Sequence, residues 1–293
     1  MVFSTAGCSG PAADRPLVVV TTNILGDVVE NIVGDEVDVL TLMKPNADPH
    51  SFEISAREAS RLHHADLLVS NGLGLEEGLQ QHLDSASSGD VPHFVAGDHV
   101  TVLDYAVGDS AGMPDSHFWT DPARMIDVAA TLTMAVSAID GVNTGVIATN
   151  SEQYLAELSK LENAMSGAFA DIPAEQRALV TNHHVFGYLA ERFGFRVVGT
   201  IIPGGTTLAA PSASDLRDLV AAVRHAQVST IFAESSQPDR LAQVLADEAG
   251  LHVSVVELYT ESLTAPDGGA PDYLTMMRVN TDRIVTGLSP ESL

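Results

Sequence analysis

Basic side chains are scarce in this chain. Only 14 lysines and arginines stand against 39 aspartates and glutamates, for a formal net charge of −25. Nucleic acids and anionic membrane surfaces bind through a basic face, so that balance excludes both as direct partners. Long apolar runs are missing too; none approaches the roughly 18–20 residues of a membrane span. The single cysteine, Cys8, excludes an internal disulfide and a thiolate metal cluster. Also absent are an HExxH helix, a nucleophile elbow and a Gly-rich phosphate loop, the usual marks of a zinc protease, an esterase or a nucleotide enzyme. What is present is the 45% apolar content of a globular protein, and 293 residues suffice for two lobes, each with its own core.

The apolar patterning is that of an α/β protein. Leu17 to Thr22 is an unbroken, largely β-branched run suited to a buried parallel strand. A helix over Ile24–Val33, a strand over Val37–Met43, a helix through Ile54, Ala59 and Leu62, and a strand over Asp66–Ser70 follow. Leu75–Leu83 reads as helical, and the stretch from Gly89 to Ser116 is looser, with short extended pieces at Phe94 and Val100–Leu103. Asp121-Pro122 supplies an N-cap and a first helical residue. Ile147, Tyr154, Leu158, Leu161 and Met165 recur every three or four residues without a breaker, predicting one helix of about 25 residues, roughly 38 Å long. Strands at Ala178–Thr181, Arg196–Thr200, Thr230–Ala233 and Val253–Leu258 then alternate with helices. The expected architecture is two lobes of parallel sheet flanked by helices, joined by one long rigid helix. The expected boundaries are a tether at 1–16, lobes at 17–144 and 173–293, and a linking helix at 145–172. A helical joint is stiff, so limited lobe motion is expected.

Four loops carry candidate ligands. Lys44-Pro45-Asn46-Ala47-Asp48-Pro49-His50 follows a strand, and its two prolines present His50 with little freedom, which suits a preorganised ligand. His117 precedes a helix beside Phe118 and Trp119, the only tryptophan, which could exclude water. His183 and His184 lie where a strand gives way to the helix expected over Val185–Phe193. The positive end of that helix favours a neutral imidazole. Spacing alone does not separate the two histidines; His183 is favoured, with His184 the alternative. Glu261 closes the last strand, and strand ends are where open α/β sheets bind ligands. Three imidazoles and a carboxylate suit tetrahedral Zn²⁺, and four protein ligands leave no open position for catalysis. A bidentate Glu261 would admit Mn²⁺. Glu53, Asn182 and Glu234 are candidate orienting groups for a ligating imidazole. His63 and His64 end a helix, while His82, His93, His99, His225 and His252 are expected at the surface.

Together, Asp48-Pro49-His50-Ser51-Phe52-Glu53, His117-Phe118-Trp119-Thr120-Asp121-Pro122, His183-His184-Val185-Phe186-Gly187-Tyr188 and the tail from Tyr273 to Asn280 resemble the zinc and manganese solute-binding lipoproteins of bacterial ABC importers. The resemblance runs from Leu17 to Leu288. It implies two α/β lobes bridged by a rigid helix, with His50, His117 and His183 as ligands. It also implies an extracytoplasmic monomeric receptor that delivers metal to an ABC permease, with a metallochaperone as a further candidate partner. Zinc is the expected cargo, because manganese-type members tend to replace the third histidine with glutamate; manganese or iron is the alternative.

Two features depart from the family. Glu261 stands where an aspartate is usual, and the loop before His117 lacks the His-rich insertion of many zinc receptors. Ser4-Thr5-Ala6-Gly7-Cys8-Ser9 resembles a lipoprotein processing site, implying a lipid anchor on Cys8, although Thr5 replaces the usual aliphatic residue. The seven residues before Cys8 are too few for a basic region and an apolar h-region. The rival from another class is a zinc-dependent hydrolase, which would need Glu261 to stand off the metal as a base. A surface adhesin on the same scaffold would need an exposed apolar patch that the sequence does not display.

Overall fold

In a computed structural model, residues 15–106, 110–202, 204–236, 239–249 and 253–289 are described. Cys8 and His252, on which two expectations fell, lie outside them.

The first lobe runs β1 (Leu17–Val20), α1 (Asn23–Val33), β2 (Asp38–Thr41), α2 (Ala56–Leu62), β3 (Leu67–Ser70), α3 (Gln80–Ser87), β4 (His93–Val95) and α4 (Pro122–Ser137). After α5 (Thr144–Ala170) come β5 (Ala178–Thr181), α6 (Gly187–Phe193), β6 (Arg196–Thr200), α7 (Ala213–Ala226), β7 (Thr230–Glu234), α8 (Arg240–Ala249), β8 (Ser254–Leu258) and α9 (Tyr273–Leu288). Every described strand pair is parallel, and the sheet orders are β2-β1-β3-β4 and β6-β5-β7-β8. Each sheet therefore reverses its winding beside its first strand, and such a switch point opens a crevice at the strands' carboxyl ends. Both crevices face the same place, between the lobes.

Local chemistry explains most element ends. Asp121 caps α4 through the Ala123 N–H, with Pro122 at the first helical position as expected. Ser55 and Glu58 form a reciprocal capping box on α2, and Ser212 and Asp215 do the same on α7. The helix α5 is 27 residues long and buries Ile147, Tyr154, Leu158, Leu161, Met165 and Phe169 along one face. Truncating a residue such as Leu158 there would cost about 2–5 kcal/mol.

Four local expectations are corrected. Leu75–Leu83 is a 3₁₀ turn at Glu77–Leu79 followed by α3, and Val100–Leu103 forms no strand. The helix expected over Val185–Phe193, α6, begins at Gly187, because residues 182–186 form a tight turn off β5. His93 is half-buried, pinned between the Ser70 and Ser87 hydroxyls at 2.8 and 2.9 Å. Burial lowers its pKa.

One apolar cluster runs through both lobes. It joins Val18, Phe118, Trp119 and Leu158 to Phe186, Tyr188, Leu258 and Tyr273. The lobes thus share a core, which restrains them more firmly than a helical joint alone. Among the described residues, no helix is long and apolar enough to cross a membrane.

Candidate metal centre

Each of the four ligand candidates is held by its own backbone turn. After β2 the chain bends through Pro45 and Pro49, and Asp48 Oδ1 accepts the His50 N–H at 2.9 Å. Asp115 repeats the device two residues before His117, also at 2.9 Å. His183 leaves the end of β5, with the Thr181 hydroxyl on its carbonyl at 2.8 Å. Glu261 lies three residues beyond β8, in a segment clamped by the first lobe on both sides. The Trp119 indole N–H donates to the Thr260 carbonyl at 2.7 Å, and the Asn23 amide donates to Ser262 Oγ at 2.8 Å.

These turns bring four side chains together from both lobes. Glu261 Oε1 lies 3.0 Å from His50 Nε2, 3.2 Å from His183 Nε2 and 3.5 Å from His117 Nε2. The Nε2 atoms of His117 and His183 are 3.2 Å apart, and the four donor atoms all lie within 4.8 Å of one another. All four side chains are buried, none more than 2% exposed. Phe118 and Trp119 are buried beside them, and the Trp119 ring packs edge-on at 5.1 Å from that of His117. Water is thereby kept away, which strengthens any charge interaction inside.

The outer nitrogens are held unequally. His117 Nδ1 lies 2.8 Å from Asp115 Oδ1 and 3.2 Å from the Tyr105 hydroxyl. His183 Nδ1 is in close contact with Glu234 Oε1. A carboxylate on Nδ1 fixes the ring's orientation and turns Nε2 into the cluster, where it offers a lone pair once its proton is displaced. Among the described residues, His50 Nδ1 meets no hydrogen-bond partner, and neither does the second oxygen of Glu261.

Burial alone would push the His117 and His183 imidazoles toward neutrality and raise the Glu261 carboxyl. The pairings reverse both trends. Against burial, Glu234 and Glu261 lift the His183 pKa well above the ordinary value, and Asp115 and Glu261 raise that of His117. Against burial, His183 and the hydrogen bonds from the three imidazoles hold Glu261 well below the usual carboxylate range. The expectation that a helix end keeps His183 neutral is therefore corrected. The helix α6 starts four residues later, and two carboxylates outweigh it.

Of the remaining predicted residues, His184 is half-buried and is not one of the four clustered side chains; its ring lies 6.3 Å from that of Tyr105. Glu234 ends β7, the direct neighbour of β5, so strand pairing delivers it to His183. Asn182 is buried, but among the described residues its amide oxygen meets no hydrogen-bond donor. Glu53 is exposed and touches none of the cluster, a correction: the turn at Asp48–Phe52 carries it outward. Asp115 and Tyr105 were not expected in these roles. The only sequence signal for Asp115 is an aspartate two residues ahead of a histidine, the spacing of a side-chain-to-backbone turn. Gly187 is needed next to it, since a Cβ there would sit 2.5 Å from Asp115 Oδ2.

Comparison with known proteins places this geometry. The profile of the periplasmic zinc-uptake complex component A family (ZnuA) matches residues 18–287. The iron-binding protein YfeA of Yersinia pestis is 28% identical over 270 residues, 92% of this chain and 85% of its own. The manganese ABC transporter substrate-binding lipoprotein PsaA of Streptococcus pneumoniae is 28% identical, over 99% of this chain and 94% of its own. Among solved structures, the periplasmic zinc-binding protein TroA of Treponema pallidum superposes with a TM-score of 0.86 at 28% identity, covering 94% of this chain and 99% of TroA. The buried cluster between two parallel-sheet lobes and the family match over nearly the whole chain lead to one assignment: this chain belongs to the zinc-uptake complex component A family and is a metal-binding receptor of an ABC importer, not an enzyme.

Proposed function

We propose that His50, His117, His183 and Glu261 are the ligands of one transported Zn²⁺ ion. The observation that carries this is the spacing of the donor atoms. A tetrahedral zinc with arms of about 2.0–2.1 Å requires donors about 3.3 Å apart. Four of the six donor separations in the cluster are 3.0, 3.2, 3.2 and 3.5 Å, and all six lie within 4.8 Å. The donor chemistry agrees, since three imidazoles and one carboxylate form a borderline set suited to zinc. Among the described residues, no lysine or arginine pairs with Asp115, Glu234 or Glu261, so a cation is the natural counter-charge for three buried carboxylates.

A second metal is favoured by one specific observation. The free second oxygen of Glu261 could add a fifth donor and admit manganese or iron, the metals in the names of PsaA and YfeA. Competition separates the two: chelator-stripped protein titrated with Zn²⁺ against excess Mn²⁺ should retain zinc, and manganese retention would assign the site to a five- or six-coordinate metal.

The receptor works outside the cytoplasm, anchored through a lipid on Cys8, and hands its ion as a monomer to the membrane permease. The lipoprotein names of relatives such as PsaA and the Ala6-Gly7-Cys8 segment support the anchor.

A further inference from the structure

The lobes meet through two kinds of contact. Beneath the metal centre the contacts are buried and continuous with the apolar core, as in the Trp119–Thr260 and Asn23–Ser262 bonds. The chain after β6 makes contacts of another kind. Residues Gly204 to Thr207 start at the His183–His184 turn, where the His184 N–H donates to the Gly204 carbonyl at 3.3 Å. From there they cross to the first lobe as a half-buried strap. The Gly205 N–H donates to Ser110 Oγ at 3.3 Å, and the Tyr105 hydroxyl donates to the Gly205 carbonyl at 3.3 Å. The Thr207 hydroxyl donates to Asp48 Oδ2 at 2.6 Å.

Two of the strap's partners also hold a ligand histidine. Asp48 spends one oxygen on Thr207 and the other on the His50 N–H, at 2.9 Å. The same Tyr105 hydroxyl that reaches Gly205 lies 3.2 Å from His117 Nδ1. We propose that the Gly204–Thr207 strap is the gate that sets the rate of metal exchange, and that Thr207 and Tyr105 are positioning residues coupling it to His50 and His117. This rests on the ligand assignment above.

Energetics favour the strap over the lobes as the moving part. Separating the lobes would expose the shared apolar core. Lifting the strap breaks a few part-exposed hydrogen bonds, and local opening follows the segment with least buried apolar contact. Gly205 makes the latch possible: a Cβ there would lie 2.1 Å from the Tyr105 ring. Replacing it therefore pushes the strap off without removing any polar side chain.

The test is the rate at which the zinc-loaded full chain loses metal to an excess of a chromophoric chelator. Thr207→Val keeps the shape and deletes the hydroxyl. A bond to a carboxylate is of the size that changes a rate about tenfold. We expect Thr207→Val to release zinc about tenfold faster, with Thr207→Ser restored to within about twofold of wild type. Gly205→Ala should also accelerate release, and serves if Thr207→Val folds poorly. Melting curves of the chelated variants separate a gate from general damage, since a gate changes the rate without lowering the melting temperature. Release from Thr207→Val at the wild-type rate, or release from Thr207→Ser as fast as from Thr207→Val, overturns the gate. Wild-type protein that retains no zinc removes the ligand assignment, and the gate with it.

Discussion

Glu234 offers a sharp test of how the centre is built. Its carboxylate ends β7 and meets His183 Nδ1, while the His183 N–H also faces it at 3.3 Å. In Glu234→Gln the side chain keeps its length but loses its charge. His183 then loses the partner that fixes its tautomer and enriches its Nε2 lone pair. Loss of such an outer partner weakens metal binding about 10–100-fold, or about 1.4–2.7 kcal/mol. Competition against a chelator of known affinity reads this directly, and the stoichiometry should remain one ion per chain. The metal-free protein supplies a second readout. The folded His183 pKa is raised, so its pairing contributes stability fully below the unfolded value of about 6.5 and loses it as pH rises through the folded value. The melting temperatures of chelated wild type and Glu234→Gln should therefore differ most near pH 6 and converge on the alkaline side. Zinc affinity within about twofold of wild type would refute the orienting role.

Other expectations follow from the same geometry. His183→Ala should weaken zinc by more than the ~100-fold ceiling of an outer partner, while His184→Ala stays near wild type in the same titration; the reverse would exchange their roles. Zinc must displace protons from the histidines, so the gap in melting temperature between loaded and chelated protein should widen from about pH 5.5 to 8. A gap that is constant across that range contradicts imidazole ligation. Trp119 is the only tryptophan and its ring lies 5.1 Å from that of His117, so one equivalent of paramagnetic Co²⁺ should quench the intrinsic fluorescence strongly. Undiminished emission at saturation would place the ion elsewhere.

Much of this molecule is legible in its sequence, for physical reasons. The run Leu17–Thr22 suits a strand covered on both faces, and Val18, Val19 and Val20 are wholly buried. The stripe from Ile147 to Met165 has one periodicity and no breaker, and α5, Thr144–Ala170, contains it whole. The four ligand candidates converge because each sits in the loop following a strand, and all those loops gather at one sheet end. Second contacts are harder to read. Glu234 follows directly on the strand expected over Thr230–Ala233, yet its meeting with His183 depends on β5 pairing with β7, which local patterning does not encode. Glu53 follows His50 by three residues, and the turn stabilised by Asp48 sends it to solvent. Tyr105 and Thr207 carried no signal. Their roles arise where loops from two lobes cross, at a range no periodicity reports.

The central claim is that one zinc ion is held by a buried set of three histidines and Glu261. The most direct measurement is metal content per chain after exhaustive dialysis, for wild type, His50→Ala and Glu261→Gln. The account predicts one zinc per wild-type chain and a marked loss in both variants. Wild-type protein without retained metal, or variants that keep zinc at the wild-type level, would contradict it.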